Sequence, residues 1–301
     1  MDLLHIIPML KSLNLNNIKV LHLEPTTNCN AACPQCKRTY SPFTPAELTL
    51  DRVKELFTVE FIQNLDKMFM CGNLGDPAAA HDTLDIFKYF KEINPNIVLG
   101  MNTNGSIRTI QWWHDLATIL TGIQDYVVFS IDGLADTNHI HRKNVVWERV
   151  IRNANSFITN NGSAHWDMLV FKHNQHQIDA SQQLAKDMKF TWFRAKVSKR
   201  HVETPITWLQ PPSDDNWKDP IVTSGIIDCY AIKEKSIYVD AQGDFYPCCW
   251  LGNTNERLSN FDQIQLNWNT KDQNLICAAT CTKHNNGTSF TNQWQREVAL
   301  N

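Results

Sequence analysis

Three closely spaced cysteines are the first residues in the chain whose types and spacing could do chemistry. Cys29, Cys33 and Cys36 form a C-x3-C-x2-C pattern directly after a short apolar run. Three thiolates on one loop can bind three irons of a cubane cluster. No Cys, His or Asp follows Cys36 within a few residues, so one metal position stays open, as a catalytic site requires. A zinc loop completed by a remote ligand is the alternative that the spacing leaves open.

A second set of cysteines lies in the last quarter of the chain. Four of these thiols would saturate a second cluster. The predicted ligands are Cys229, Cys248, Cys277 and Cys281. Cys249 is the doubtful fifth, because adjacent side chains on extended backbone point to opposite faces, and whether it replaces Cys248 stays open. A structural zinc site, to which His284 could contribute, is the alternative. Cys71 stands alone and is interpreted as a small buried residue at a strand end.

Short apolar runs alternate with helix-like stretches over the first 200 residues, and these elements must position the cysteines. The predicted strands span 19–24, 68–71, 97–101, 126–131, 167–171 and 190–197. The predicted helices begin at Thr44 and then span 84–90, 110–120, 145–158 and 178–188. Six βα-like units in series predict a parallel sheet, closed or partly closed, with helices outside. Active sites of such folds lie at the carboxyl ends of the strands.

Composition narrows the class of protein. The chain has 301 residues, 43% of them hydrophobic, which fits one large domain with or without a small appendage. A net charge of −3 without long runs of one sign disfavours nucleic-acid and membrane partners. The basic cluster 196–200 is interpreted as a solvated edge, with an anion site as the alternative. No segment has the ~20 apolar residues that span a bilayer, and 1–13 is predicted to be a short amphipathic helix instead of a signal peptide, so we expect a cytoplasmic protein with reduced thiols.

Polar motifs follow the second, third and fourth predicted strands. They are Cys-Gly-Asn-Leu-Gly-Asp-Pro at 71–77, Thr-Asn-Gly at 103–105 and Ser-Ile-Asp-Gly at 130–133, with Arg142 twelve residues after Ser130. Each alone is compatible with a turn or a cap. Together with the cysteine loop, and in this order, they resemble the radical SAM superfamily. The 71–77 motif is similar to that family's Gly-Gly-Glu-Pro, and the resemblance covers 19–197 and resumes at Cys229.

The resemblance implies that Cys29, Cys33 and Cys36 bind a [4Fe–4S] cluster with an open site for S-adenosylmethionine (SAM). Reductive cleavage of SAM would then give a 5′-deoxyadenosyl radical that abstracts a substrate hydrogen. The residues implied to bind the cofactor are Gln35, Gly72, Asn73, Gly75, Asp76, Asn104, Ser130 and Arg142. Asp76 can accept from the ammonium of SAM, and Arg142 can pair with its carboxylate in a fork geometry. The chain departs from the family at Gln35, where an aromatic residue is usual, and at Asp76, where Glu is usual.

The late cysteines resemble the Twitch domain, the shorter relative of the SPASM extension, which carries one auxiliary [4Fe–4S] cluster. A β-hairpin is predicted around 241–243 in their midst. The predicted fold is therefore α/β, a partial (β/α)6 radical SAM barrel followed by a small cysteine-rich β-hairpin/helix auxiliary-cluster domain. Its divisions are an N-terminal helical segment 1–18, the barrel 19–200, a linker 201–224 and the auxiliary-cluster domain with the C-terminal tail 225–301. The final segment 285–301 has no predicted partner.

Candidate catalytic residues lie on or after the strands. Arg194 and Lys196 alternate on the sixth predicted strand, so both could point into the barrel, where a charged side chain is expected to serve a ligand. His141, with His139, could shuttle a proton, although either could be structural, and no general base is assigned. The loop 172–176 is interpreted as solvated, with substrate or cofactor contact as the alternative.

Three hypotheses about function follow. The first is oxidation or cross-linking of a peptide side chain, and the second is dehydrogenation of a small molecule such as an amino sugar. In both, the auxiliary cluster could accept an electron or hold the substrate; its four cysteine ligands favour electron transfer, and flavodoxin or ferredoxin is the expected electron donor. The third is a non-catalytic interaction protein with zinc at both sites, which leaves the order of the strand-end motifs unexplained.

Overall fold

The described residues of the protein build one sheet of nine strands. The computed structural model describes residues 17–198, 200, 206–217, 229–252, 277, 281 and 294–300. The strands are β1 Val20–Leu23, β2 Lys67–Met70, β3 Val98–Thr103, β4 Tyr126–Ser130, β5 Ala164–Val170, β6 Trp192–Val197, β7 Ser236–Val239, β8 Phe245–Tyr246 and β9 Arg296–Ala299. They pair in the order β8-β7-β1-β2-β3-β4-β5-β6-β9, and β1 to β7 are parallel wherever they pair with one another. The predicted α/β architecture with a parallel sheet is confirmed.

Helices connect successive parallel strands. In the described part of the chain they are α1 Lys37–Tyr40, α2 Leu50–Leu56, α3 Val59–Asn64, α4 Thr83–Ile93, α5 Ile110–Ile119, α6 Asn138–His141, α7 Trp147–Thr159, α8 Ile178–Asp187 and α9 Tyr230–Glu234. Threonine caps begin three of them: Thr49, Thr58 and Thr109 accept from the backbone N–H three residues ahead. Such caps satisfy N–H groups that a helix start leaves without partners. None of the described helices is long and apolar enough to cross a membrane.

The helix predicted to begin at Thr44 begins later, so that prediction is wrong. The residues before Thr49 pair with the stem of the cysteine loop instead: Thr27 N donates to Ala46 O at 2.9 Å, and Ala46 N donates to Thr27 Oγ1 at 2.9 Å. These long-range hydrogen bonds satisfy backbone groups that a helix over 44–48 would have used. The segment thereby fixes the base of the cysteine loop.

Alternating residues of the strands face two different environments. One face is apolar and packs under the helices, as with Leu21, Met68 and Phe193, each fully buried. The opposite face carries polar and aromatic side chains that enclose a cavity, which we call the lumen; among them are His22, Phe69, Tyr126, His165, Asp167 and Arg194. Small barrels normally fill their interior with packed apolar side chains. This barrel interior is a chamber.

The C-terminal strand β9 corrects the expectation that 285–301 has no partner. It pairs antiparallel with β6, and Arg194 lies opposite Glu297 in the register. This pairing places Trp294 beside the lumen. The hairpin predicted around 241–243 is present as β7 and β8, and β7 extends the main sheet by pairing with β1. Segment 1–16 and half of 201–224 lie outside the described residues, and the predicted domain limits stay predictions.

Candidate active site

The cysteine loop follows β1, and its three thiols line one cavity of about 320 Å³, the cysteine cavity. Ala31 N lies 3.4 Å from Cys29 Sγ and Asn104 Nδ2 lies 3.7 Å from it. Burial raises the pKa of Cys33, and the nearby Arg142 guanidinium opposes that shift. N–H donors aimed at thiolate sulfurs are a feature of iron–sulfur sites, where they tune the cluster. The donor set of three thiols on one loop, with N–H groups around them, therefore fits a cluster bound through three irons.

The loop after β2 is held by a residue that the sequence analysis missed, Glu24. Its Oε1 accepts from Leu74 N at 2.7 Å and from Gly75 N at 3.0 Å, and its Oε2 accepts from the Tyr238 hydroxyl. Burial raises the pKa of Glu24. A glutamate directly after a strand carries no sequence signal that separates it from a solvated one, so only the fold reveals this role.

The two glycines of that loop are required by protein packing. A Cβ on Gly75 would lie 1.8 Å from Thr26 O, and a Cβ on Gly72 would lie 2.1 Å from Gly75 O. Gly75 therefore lets the loop approach the stem of the cysteine loop. The Asn73 side chain points to the C-terminal region, where Nδ2 donates to Cys249 O at 2.6 Å. The two glycines and Asn73 line the cysteine cavity, as predicted cofactor contacts must.

Asp76 joins the second and third strand-end motifs. Its Oδ2 accepts from Asn104 N at 2.7 Å, and its Oδ1 accepts from Thr103 Oγ1 at 2.8 Å and from Ala78 N at 3.0 Å. The Asn104 side chain continues the connection, because its Nδ2 donates to Asn30 Oδ1 at 2.9 Å. Asp76 and Asn104 both line the cysteine cavity. A shorter Asp in place of the usual Glu thus reaches the Thr103 hydroxyl and the Asn104 backbone directly.

Asp132, which follows β4, orients two cationic or basic side chains. Its carboxylate lies 2.6 Å from His141 Nδ1 and 2.6 Å from Arg142 Nε, although that Nε–H is not aligned for a hydrogen bond. It also accepts from Leu169 N at 2.7 Å. Burial alone would raise the pKa of Asp132, but the Arg142 guanidinium and the His141 hydrogen bond outweigh burial and lower the pKa to about 2. The sequence analysis quoted Asp132 in a motif without assigning this role.

His141, Arg142 and Ser130 all line the cysteine cavity. Because Nδ1 of His141 donates to Asp132, its Nε2 is the acceptor of a neutral ring, and burial lowers the pKa of His141. That Nε2 is buried and has no hydrogen-bond partner among the described residues. His141 does not line the lumen, so the structure places this catalytic candidate on the cysteine side.

The end of β6 closes the other side of the cysteine cavity. Gln35 accepts from Ser198 Oγ at 2.6 Å through Oε1 and from Arg200 Nη1 at 2.9 Å through its backbone oxygen. Lys196 and Arg200 line the cavity as well. The interpretation of 196–200 as a solvated edge is therefore wrong for these two side chains, because the barrel curvature turns them inward. The loop at 172–176 is not part of either lining.

The lumen has a volume of about 470 Å³ and is continuous with the cysteine cavity, because Ser130, Arg142, Lys196 and Arg200 line both. Arg194 lines only the lumen. It forms two hydrogen bonds with Asp167, at 2.7 and 3.0 Å.

Tyr126 closes the floor of the lumen. Its ring stacks on His165 with centroids 5.1 Å apart, and Lys67 Nζ lies 4.8 Å from the ring centroid. Gly100 makes room, since a Cβ there would lie 2.4 Å from the Tyr126 ring. Lys67 and Tyr126 also line a depression on the outside of the barrel.

The four predicted auxiliary ligands lie near one another without converging on a single metal position, and Cys249 lies on the side of the lumen. Cys277 and Leu251 form a small buried cluster against which Cys229 and Cys248 pack. Burial raises the pKa of Cys229 to about 12, with smaller contributions from the nearby thiols of Cys281 and Cys248. Cys249 lines the lumen together with Cys71. Cys71 lies at the end of β2 as predicted, but it faces the two cavities and not an apolar core.

The described residues contain no group of three His, Cys, Asp or Glu side chains that converge on a single metal ion.

Trp294 is the third functional residue missed from sequence, after Glu24 and Asp132. Its ring lies over Arg194 at 4.8 Å and over Lys196 at 4.7 Å. Only the pairing of β9 with β6 brings it there.

Comparison with known proteins defines the class of enzyme. The pattern of the radical SAM superfamily matches residues 23–182, which is more than half of the chain. The chain belongs to this superfamily and is a radical SAM enzyme. SAM and a [4Fe–4S] cluster are the cofactors that this membership implies.

Individual relatives are distant. The chain is 29% identical over 124 residues to the tungsten-containing aldehyde ferredoxin oxidoreductase cofactor-modifying protein of Pyrococcus furiosus, a match that covers 41% of this chain and 33% of that protein. Among solved structures, SuiB of Streptococcus suis bound to S-adenosylmethionine has a TM-score of 0.59 at 14% identity and covers 80% of this chain and 63% of its own. AnSMEcpe with bound AdoMet has a TM-score of 0.56 at 16% identity, and the match covers 79% of this chain and 76% of the anSMEcpe chain. At these identities the structures show a shared fold.

Proposed function

We propose that this enzyme is a radical SAM oxidoreductase that removes a hydrogen atom from a peptide side chain and thereby oxidises or cross-links it. The observation that carries the proposal is the cysteine cavity, where three thiols on one loop face the Asp132-held side chain of Arg142. When bound, the cluster and SAM supply a 5′-deoxyadenosyl radical that abstracts the substrate hydrogen. The chain has to bind SAM, orient the substrate and exclude water.

The residues of the cysteine cavity divide this work. We assign the first cluster to Cys29, Cys33 and Cys36, and the carboxylate of SAM to Arg142 with Ser130. Asp76 accepts three hydrogen bonds from the protein and a carboxylate offers about four acceptor sites, so one is left for the SAM ammonium. The remaining proposed contacts are Gln35, Gly72, Asn73, Gly75 and Asn104. Glu24 and Asp132 act behind them as positioning residues, because each fixes a loop that carries contacts.

A peptide substrate is favoured by two structures that share the fold. One is SuiB bound to the precursor peptide SuiA, with a TM-score of 0.57 at 16% identity, and the other is anSMEcpe with AdoMet and a peptide, with a TM-score of 0.56 at 16% identity. A small molecule such as an amino sugar is the second candidate. The enclosed lumen favours it, since about 470 Å³ falls within the range of small-molecule sites.

The late cysteines supply the oxidising part of the proposal. We assign an auxiliary [4Fe–4S] cluster to Cys229, Cys248, Cys277 and Cys281, within a Twitch-like domain at 225–301. Four cysteine ligands leave no open iron, so this cluster would accept the electron released when the substrate radical is oxidised. Flavodoxin or ferredoxin would donate the electron that starts the reaction.

Anaerobic reconstitution tests the class of chemistry. The reconstituted protein should hold iron and sulfide for two clusters, and dithionite with SAM should yield 5′-deoxyadenosine. The triple variant Cys29→Ala, Cys33→Ala, Cys36→Ala should lose about half of the iron and all of the product, whereas Cys71→Ala, a thiol in the same cavity, should keep its iron. A colourless wild-type protein that binds zinc and forms no 5′-deoxyadenosine would contradict the proposal.

A second experiment separates peptide from small-molecule substrates. An extract of the source cells grown in deuterated medium is split by size and added to the enzyme with unlabelled SAM. Hydrogen abstraction transfers deuterium to 5′-deoxyadenosine, which mass spectrometry detects as one added mass unit. We expect the signal in the peptide fraction and its loss after protease treatment. A protease-resistant signal in the small-molecule fraction would favour the second candidate.

A further inference from the structure

We propose that the exposed side of the cysteine loop is the docking surface for an acidic electron-carrier protein. This surface, which we call the loop patch, consists of Lys37, Arg38, Tyr40, Lys143 and Trp208. The inference rests on the proposed function in one respect, namely that the cysteine loop holds a cluster that has to receive an electron. It adds the place where the carrier binds and the charge that the carrier must have.

The loop patch is attached to the cysteine loop itself. Ala32 N donates to Lys143 O at 3.0 Å, which fixes the segment around position 143 against the loop. On the next loop residue, Cys33 O accepts from Thr39 Oγ1 of α1 at 2.9 Å. Two consecutive loop residues therefore hold the two segments that carry the cations of the patch. A protein bound there lies next to the loop, and electron transfer between proteins requires such a short distance.

The charge around the loop is positive, although the whole chain has a net charge of −3. The loop and the segments that carry the patch span 25–46, 137–147 and 206–212. None of these segments contains Asp or Glu, and their Lys and Arg residues are Lys37, Arg38, Arg142 and Lys143. Arg142 is paired with Asp132 inside the protein, so it does not count toward the surface. The other three give this side of the molecule a local excess of positive charge.

These three cations contact neutral groups of the protein. Lys37 donates to a backbone oxygen at 3.5 Å, and Arg38 donates to another at 3.2 Å. Lys143 Nζ lies 4.8 Å from the centroid of the Trp208 ring. Within the described part of the chain, no salt bridge includes any of the three. None of the loop-patch residues lines the cysteine cavity or the lumen, so these charges are separate from the proposed contacts with SAM and substrate.

Exposed aromatic rings accompany these charges. The Trp208 side chain is 52% exposed and that of Tyr40 is 47% exposed. Aromatic residues beside Arg are enriched in protein interfaces. Redox partners associate through interfaces below about 1,200 Å², so a small patch is sufficient. Positive charge around the loop attracts an acidic carrier and orients it, whereas it repels a basic one.

Two measurements test the proposal with the reconstituted full-length enzyme and SAM under anaerobic conditions. The probes are flavodoxin and ferredoxin, two acidic one-electron carriers. Calorimetry gives the affinity of each oxidised carrier, a readout that needs no electron transfer. Stopped-flow absorbance gives the second-order rate at which each reduced carrier reduces the enzyme. For the faster carrier, we expect a rise from ~20 mM to ~500 mM salt to lower this rate about tenfold or more, because salt screens the attraction.

Substitutions at one lysine locate the surface. Lys143→Glu reverses a charge of the loop patch and should lower both the affinity for the carrier and the reduction rate about tenfold. Lys143→Arg keeps the charge and should behave like the wild type. The matched control is Lys54→Glu on α2, because the Lys54 ammonium also lies over an aromatic ring, 5.4 Å from the centroid of Tyr89. Dithionite, which needs no docking surface, should reduce all of these variants alike.

The proposal is overturned if neither carrier shows salt-dependent reduction, or if Lys143→Glu and Lys54→Glu give equal affinities and rates. It is also overturned if Lys143→Glu weakens binding of the peptide fraction and leaves the carrier unaffected, since the loop patch would then serve the substrate. Dithionite-driven formation of 5′-deoxyadenosine does not involve the carrier. Its absence would count against the proposed function, whereas its presence with salt-independent carrier reduction would count against the docking surface alone.

Discussion

The two cysteine sites of this enzyme are held by different kinds of contact. At the first site, three buried carboxylates, those of Glu24, Asp76 and Asp132, each bind groups from two or more segments around the cavity. At the second site, the contacts among the described residues include a small apolar cluster around Leu251 and Cys277 and short-range backbone hydrogen bonds, such as that from Cys281 N to Cys277 O at 2.8 Å.

The difference indicates how each site acquires its geometry. Buried carboxylates that are fully hydrogen-bonded fix loops before any ligand arrives. At a site whose ligands are thiols from separate segments, metal binding contributes its free energy to folding. We therefore expect the first site to be preorganised and the second to depend on its metal.

The largest expected effect is at Asp132. Asp132→Asn removes a fully buried counterion from Arg142, whose side chain is 16% exposed, and breaking a buried pair typically costs about 3–5 kcal/mol. Urea unfolding of the apo-protein measures the loss, and Asp85→Asn, which removes an exposed pair with Lys88 at 3.2 Å, is the control that should change stability by less than about 1 kcal/mol. Equal effects of the two substitutions would remove the basis for calling the first site preorganised.

The same substitution has a predicted pH dependence. The pKa of Asp132 is lowered to about 2 in the folded protein, below about 3.9 in an unfolded chain. Its ionised form therefore stabilises the fold above about pH 4, by roughly 2–3 kcal/mol, and this contribution is lost as the pH falls through 2. The stability difference between wild type and Asp132→Asn should shrink over that window. A difference that stays constant from pH 6 to 2 would contradict the assignment.

A smaller effect is expected at Glu24. Glu24→Ala leaves Leu74 N and Gly75 N without their acceptor, which should cost about 2–3 kcal/mol and weaken SAM binding. Glu24→Gln should cost less, since its amide oxygen can still accept and burial already raises the pKa of Glu24. Urea unfolding and SAM titration check both, with the exposed Glu55→Ala as the control. Equal losses for Ala and Gln would mean that charge, and not hydrogen bonding, holds the loop.

Removal of iron should affect the second site selectively. Chelation should speed amide exchange in α9, which follows Cys229, by about tenfold, or roughly 1.4 kcal/mol of local stability. The amides of β2 and β3, between which the 72–77 loop is anchored, should change little. Hydrogen exchange with mass spectrometry reads both regions in one sample. Uniform acceleration across the protein would erase the contrast between the sites.

The smallest effect is expected at Cys249. Cys249→Ser should leave the iron content of the protein unchanged, because Cys249 lines the lumen, whereas Cys248→Ser should lose iron from the auxiliary site. Iron analysis and absorption spectra of the two reconstituted variants give the answer. If Cys249→Ser lost iron and Cys248→Ser did not, Cys249 would replace Cys248 as the proposed ligand.

The central strands and the cysteine loop could be predicted from sequence because their signals are local. Each of the first six strands is a short apolar run that ends at a polar motif, and the structure has a strand at every one of these positions. The helix proposed from Thr44 failed because Ala46 forms hydrogen bonds with Thr27, a partner nineteen residues away.

The residues that were missed depend on contacts between distant segments. Glu24 binds a loop fifty residues later in the chain. Trp294 reaches the lumen through the pairing of β9 with β6. Strand β9 has four residues, two of them charged, and is too short and too polar to be predicted as a strand. Arg200 belongs to a basic cluster that looks solvated by composition, whereas the alternation of residues on the sixth predicted strand already directed Lys196 into the barrel.

Gly100 has a consequence for how tightly the reaction chamber is sealed. Tyr126 and Lys67 line the lumen on one side and an outside depression on the other, so the barrier between chamber and solvent is one side chain thick there. A larger residue at position 100 would displace the Tyr126 ring and open a solvent channel at the bottom of the barrel. Solvent could then enter the chamber, where excluding water prevents side reactions of the radical intermediates. The enzyme would then consume electrons and SAM without forming product. The absence of one methyl group thus keeps the barrel closed at its lower end.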